Sequence, residues 1–210
     1  MNPIFEFFFS QYAEYELIDV ILEITAVIFG LLSVWFSKQN NILVFPTGMV
    51  STSIYVYLLF HWDLIGDMMI NLYYFIMSVY GWYIWTRKIE NKNFTPITFT
   101  SKTEKKLSIY IFIVTLVFVV IVYNAFDKWN SWVAYVDTFT TGVFFVGMWL
   151  MAKRKIENWV LWIIGNIISV PLYFYKGFTF TSFQYLIFTI LAIYGYSSWK
   201  NKINTSQEIA

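Results

Sequence analysis

The chain has 210 residues, of which 59% are hydrophobic and only 13% charged, against roughly 45–50% apolar and about 25% charged in a soluble globular domain. Such a chain cannot build a water-soluble surface, and its apolar residues fall into blocks about twenty long, the length that crosses about 30 Å of hydrocarbon. Fourteen Lys and Arg against thirteen Asp and Glu imply no surface for nucleic acid, while zero Cys and one His argue against disulfides, thiolate chemistry and metal sites, and no cofactor is called for.

Residues 1–17 form the first predicted segment. Ile4, Phe5, Phe7, Phe8 and Phe9 crowd around one Glu, a run too short to cross and suited to lying amphipathically in the membrane interface. Its acidic character and lack of a positive start make a cleavable signal peptide unexpected. Seven transmembrane helices are then predicted at 18–37, 42–60, 65–86, 107–124, 132–151, 159–175 and 182–200. Between the third and fourth, residues 87–106 read as a polar, Thr/Lys-rich linker broken by Pro96. Residues 201–210 read as a tail.

Twelve of the fourteen Lys and Arg fall on one side of this arrangement, at Lys38, in 87–106, at Lys153-Arg154-Lys155 and at Lys200 and Lys202. Positive residues stay cytoplasmic, so the N-terminus is expected outside and the C-terminus in the cytoplasm of a multi-pass protein of the cell (inner) membrane. The Lys153-Arg154-Lys155 run reads as a solvated cytoplasmic turn. Trp35, Trp85 and Trp199, near span ends, read as members of the interfacial aromatic belt, as do Trp129 and Trp132.

A shift of 114 residues without gaps lays Trp35 on Trp149, Leu58 on Leu172, Tyr80-Gly81 and Trp85 on Tyr194-Gly195 and Trp199, and Glu23 on Asp137. The chain therefore reads as a first three-helix repeat at 18–86, a connecting helix at 107–124, and a second three-helix repeat at 132–200. Both copies enter the membrane in the same sense, a 3+1+3 parallel repeat of the sort that builds transporters.

Motifs for catalysis are missing: there is no G-x-x-x-x-G-K phosphate cradle, no Ser-His-Asp set around His61 and no H-E-x-x-H. An enzyme or an ATP-driven pump is not expected. The chain instead carries polar residues at helical spacing inside apolar spans, where an unpaired polar group is costly and marks a site. Asp67, Asn71, Tyr74 and Ser78 share one face of the third span, and Trp162, Asn166, Ser169 and Tyr173 repeat that spacing in the sixth, one turn after Trp159. Asn and Ser can equally serve as interhelical hydrogen-bonding glue, and Glu23 and Asp137 can either compensate a cationic substrate or anchor helix interfaces.

In the stretches Tyr80-Gly81-Trp82-Tyr83-x-Trp85 and Asn158-Trp159-x-x-Trp162-x-x-x-Asn166-x-x-Ser169-x-x-Leu172-Tyr173, the sequence resembles the PnuC family of vitamin transporters, over about residues 20–200. The resemblance implies an all-α membrane fold like that of the SWEET sugar transporters with both halves fused, often as a homotrimer. It also implies uptake of nicotinamide riboside by facilitated diffusion, trapped by cytosolic phosphorylation ahead of NAD biosynthesis. Thiamine and riboflavin are alternative family substrates; a non-transporting receptor or assembly subunit is the alternative of another class. The residues it carries over as substrate-binding are Trp162 and Asn166, then Asn71 and Gln184, with Tyr74 and Tyr173 beside them.

Overall fold

The computed structural model of the chain describes residues 16–62, 65–87, 95–127, 129, 131–176 and 179–208. It is all-helical, in the order α1 (Leu17–Gln39), α2 (Val44–His61), α3 (Ile65–Thr86), α4 (Lys102–Ala125), α5 (Trp132–Ala152), α6 (Asn158–Tyr175) and α7 (Thr179–Glu208). Among the described residues the only β pairing is a single bridge between Thr98 and Lys155. The interfacial reading of the N-terminal segment lies, up to residue 15, outside the described residues, as does the middle of the linker.

Each apolar block is a helix, and the differences lie at the ends. α4 starts at Lys102 rather than 107 because Ser101 caps it: the Ser101 hydroxyl accepts from the Glu104 amide (3.2 Å) while the Glu104 carboxylate accepts from the Ser101 amide (2.9 Å), a capping box that satisfies two otherwise orphaned donors. Hydropathy does not register it, since Lys102, Lys105 and Lys106 are polar. α7 runs to Glu208, past the predicted span end, so most of the expected tail is helical. In α2, Pro46 falls in the first turn, where its missing N–H would have had no helical partner.

Consecutive helices pack in the sets α1–α2–α3 and α5–α6–α7, and the sets meet where α3 packs on α5 and α1 on α7. Six helices thereby close a ring, and α4 lies against the outside of α5. The outward faces are greasy. On α1, Leu17, Ile21, Ile24, Ile28, Leu32 and Trp35 are exposed at three- to four-residue spacing, and on α4 Ile109, Ile113, Val117 and Ile121 are, an apolar stripe that only hydrocarbon satisfies. α1, α4, α5 and α6 are each long and apolar enough to cross a membrane.

The joints between the sets follow the 114-residue shift. Trp85 Nε1 donates to Met151 O (3.3 Å), and Trp199 Nε1 donates to Ser37 O (3.0 Å); the shift carries one bond onto the other. A Cβ on Gly81 would lie 2.2 Å from the Phe45 ring, and one on Gly195 would lie 2.6 Å from the Trp159 ring, again equivalent positions. Trp85 and Trp199 are therefore not belt residues. They are 1% and 0% exposed, their rings 5.8 Å apart, and their indole N–H groups each bind a carbonyl of the opposite set. Trp35 and Trp132 keep exposed rings, with Lys38 Nζ 4.3 Å from the Trp35 centroid.

Candidate functional site

The ring encloses a cavity of about 470 Å³, within the range of small-molecule sites. One end is lined by Asp67, Tyr123, Asp137 and Lys176; the other ends on Ser37, Met151 and Trp159, above the buried Trp85 and Trp199.

All six sequence-predicted site residues line it: Asn71 and Tyr74 from α3, Trp162, Asn166 and Tyr173 from α6, and Gln184 from α7. The helical spacing explains this. Asp67, Asn71, Tyr74 and Ser78 follow one another at about one turn along the inner face of α3, and Trp159, Trp162, Asn166, Ser169 and Tyr173 do the same on α6. Asn71 Nδ2 donates to its own helix at Asp67 O (3.0 Å), which leaves its carbonyl oxygen and its second N–H for a ligand. Asn166 is 2% exposed and its side-chain amide forms no hydrogen bond with another described residue. Its amide is a polar group in an apolar helix with its pairing capacity unused, a costly state unless a ligand or water completes it. Trp159 Nε1 is likewise buried without a partner.

The aromatic side chains gather on one wall. The Phe144 and Trp162 rings stack at 5.3 Å with 28° between planes, Phe144 and Tyr185 stack at 6.1 Å and 7°, Tyr74 lies 6.4 Å from Trp162, and Tyr173 lies 5.0 Å from Tyr185. Phe144 and Tyr185 were not among the predicted site residues. Under the 114-residue shift they correspond to Gly30 and Asn71, both in the lining, so the repeat offered a signal that hydropathy did not. The first set answers with small residues: Gly48 stands where the second set has Trp162, and Gly30 where it has Phe144. Ser33 and Ser51 in this wall are occupied internally, donating to Val44 O and Ala26 O (2.7 Å each).

Charge enters at the far end. Asp137 Oδ2 pairs with Lys176 Nζ at 2.9 Å, and Lys176 Nζ lies 4.7 Å over the Tyr173 ring. With Asp67, two carboxylates and one ammonium line that end of the cavity. Asp137 thus takes both roles left open by the sequence, anchoring α5 to α6 and facing the cavity; Glu23 is not in the lining.

The Lys153-Arg154-Lys155 turn is not solvated as its composition predicts. Arg154 is 7% exposed. Its Nε and Nη2 donate to Asn40 Oδ1 (2.9 and 2.7 Å), Nη1 donates to Thr95 O, and the guanidinium lies 4.4 Å over the Trp85 ring. Burial pushes its pKa down to about 10, so it remains charged at neutral pH. The turn reads as surface because three cations in a row usually are; here Asn40, the position equivalent to Arg154 under the shift, supplies an acceptor that offsets the desolvation.

The family model described as nicotinamide mononucleotide transporter matches residues 20–201. The chain is 23% identical over 217 residues to the nicotinamide riboside transporter PnuC of Escherichia coli (strain K12), covering 89% of this chain and 87% of that protein. It is 26% identical over 196 residues to the nicotinamide riboside transporter PnuC of Neisseria mucosa, covering 86% and 72%. It is 24% identical over 174 residues to the riboflavin/roseoflavin transporter RibM of Streptomyces davaonensis, covering 82% and 81%. Among solved structures, the crystal structure of the vitamin B3 transporter PnuC is similar with a TM-score of 0.66 at 22% identity, over 94% of this chain and 86% of that one.

Proposed function

The chain belongs to the nicotinamide mononucleotide transporter (PnuC) family of membrane vitamin transporters, and from that premise we propose that it carries nicotinamide riboside into the cell by facilitated diffusion. The observation that carries the choice of substrate is the pairing of an aromatic wall with a cavity end lined by two carboxylates, Asp67 and Asp137. Nicotinamide riboside is a flat cation bearing a hydroxylated sugar. A ring stacked on Trp162 and Phe144 gains a cation–π attraction of up to about 2 kcal/mol when desolvated, Asp67 and Asp137 supply the long-range attraction, and the amides of Asn166, Asn71 and Gln184 suit the carboxamide and the ribose hydroxyls. Thiamine, also a flat cation, fits the same chemistry; riboflavin, neutral and built on three fused rings, gains nothing from the carboxylates.

The sequence has no nucleotide-binding motif, which fits flux down a gradient with cytosolic phosphorylation holding the product inside. All seven helices span the cell membrane in this reading, with the C-terminus cytoplasmic and the protomers assembled as a homotrimer. The parallel repeat is supported by the pairs Trp85/Trp199, Gly81/Gly195 and Asn40/Arg154, which the same shift relates and which the fold brings to equivalent contacts.

Uptake of radiolabelled nicotinamide riboside into proteoliposomes tests the reading, with unlabelled nicotinamide riboside, thiamine and riboflavin as competitors. Saturable uptake blocked by unlabelled nicotinamide riboside and unaffected by riboflavin is expected. Block by thiamine at lower concentration reassigns the vitamin, and binding without uptake makes the protein a receptor.

A further inference from the structure

The positively charged end of the bundle is closed by more than the two tryptophans. Residues 95–101 lie as a strap across the turn between α5 and α6: Thr98 N donates to Arg154 O (3.2 Å), Ile156 N to Thr98 O (3.1 Å), and Thr100 N to both oxygens of Glu157 (2.9 and 3.0 Å). Thr95 Oγ1 in turn donates to Ile84 O at the end of α3 (2.6 Å), and Lys155 Nζ bridges Thr98 Oγ1 (2.9 Å) and the Glu104 carboxylate (3.0 Å). Arg154 is the one side chain among these that reaches α1, through Asn40, α3, through Trp85, and the strap, through Thr95. It does so with a left-handed backbone, φ 59°, a conformation costly for a residue with a Cβ and kept where the surroundings impose it.

Directly inside this layer, Ser37 and Met151 form the cavity floor, with Ser37 Oγ 3.4 Å from Met151 Sδ. Separation of the end of α1 from the end of α5 would open a way out past them. Every bond from Arg154 to Asn40 spans that seam.

We propose that Arg154 is a latch on the floor of the cavity: its two hydrogen bonds to Asn40 and its place over Trp85 hold the ends of α1, α3 and α5 together, and their release opens the cavity toward the face that carries the strap. The assignment rests on the transport reading, but its test needs no substrate, so failure of uptake and failure of the latch are separate results. Because the chain has no Cys, single reporters can be introduced without background: Ser37→Cys at the floor and Thr141→Cys in the lining toward the opposite end, each in the full chain reconstituted in liposomes and treated with a membrane-impermeant thiol reagent from one face at a time. Arg154→Gln should raise labelling of the Ser37→Cys reporter from the strap face by about tenfold, the population shift expected when charge-assisted hydrogen bonds are removed from one of two states, and should lower labelling of the Thr141→Cys reporter from the other face. Asn40→Gly removes the acceptor while keeping a residue at ease with φ 60°, so it should reproduce both changes even where Arg154→Gln fails to fold. Opposite changes at the two ends distinguish a latch from general loosening. Unchanged labelling in folded Asn40→Gly protein, or a rise at both ends together, overturns the proposal.

Discussion

Trp162 and Asn166 sit one turn apart on α6, one in the ring stack, the other with an unused amide. Truncating Trp162 to Ala should remove the stacking surface and cost about 1–2 kcal/mol of binding, about five- to thirtyfold in affinity. Asn166→Ala should cost about 1–3 kcal/mol by leaving a ligand polar group unsatisfied. Calorimetric titration with nicotinamide riboside checks both, and wild-type affinity in both folded variants would move the site to Asn71, Tyr74 and Gln184. These residues were legible because a polar side chain in an apolar helix stands out. Phe144 and Tyr185 were not: in a chain with 22 Phe and 16 Tyr, one more aromatic residue gives no contrast, whether it faces ligand or lipid. Trp85 and Trp199 misled for the opposite reason, since a Trp near a span end is ordinarily an interfacial anchor, and only the fold shows its N–H bound to a carbonyl of the other helix set.

At the scale of elements, close approach of helices fixes what the helix faces tolerate. A methyl group at Gly195 would stand 2.6 Å from the Trp159 ring, and one at Gly81 2.2 Å from the Phe45 ring. Both rings are buried and have little room to turn, so each Gly→Ala change should destabilise by about 1–3 kcal/mol through overpacking. Thermal unfolding in detergent, followed by loss of the monodisperse peak, should show the two variants lowered by similar amounts; an unshifted midpoint would mean that the helices separate freely there. The capping box of α4 makes a smaller prediction. Ser101→Ala should loosen the first turn by about 1 kcal/mol, seen as about fivefold faster hydrogen exchange over residues 102–106 with the rest of α4 unchanged. The hydrophobic period made the helices legible but not this start, since a cap is a two-residue signal set among lysines.

For the whole molecule, the proposed reading has all seven helices crossing, so that the single helix α4 between the two sets gives them the same direction through the membrane and leaves the C-terminus cytoplasmic. A reporter fused after Ala210 should therefore be active only in its cytoplasmic form, and periplasmic activity would reverse the orientation inferred from Lys and Arg. Flux should be indifferent to ATP inside vesicles, and accumulation above the outside concentration under an imposed proton or sodium gradient would replace simple diffusion with coupling through Asp67 or Asp137.

The unequal walls of the cavity also bear on ancestry. If two copies of the α5–α7 half were joined, the second copy would bring its own Phe144 to the place of Gly30 and its own Trp162 to the place of Gly48, and rings from both sides would fill the space a ligand needs. Two copies of the α1–α3 half would leave glycine facing glycine where Phe144 and Trp162 now stand, with only Tyr55 and Tyr74 of each copy to offer a ring. Neither half can now stand in for the other. A dimer of identical halves built from either one would require at least those two positions to change together.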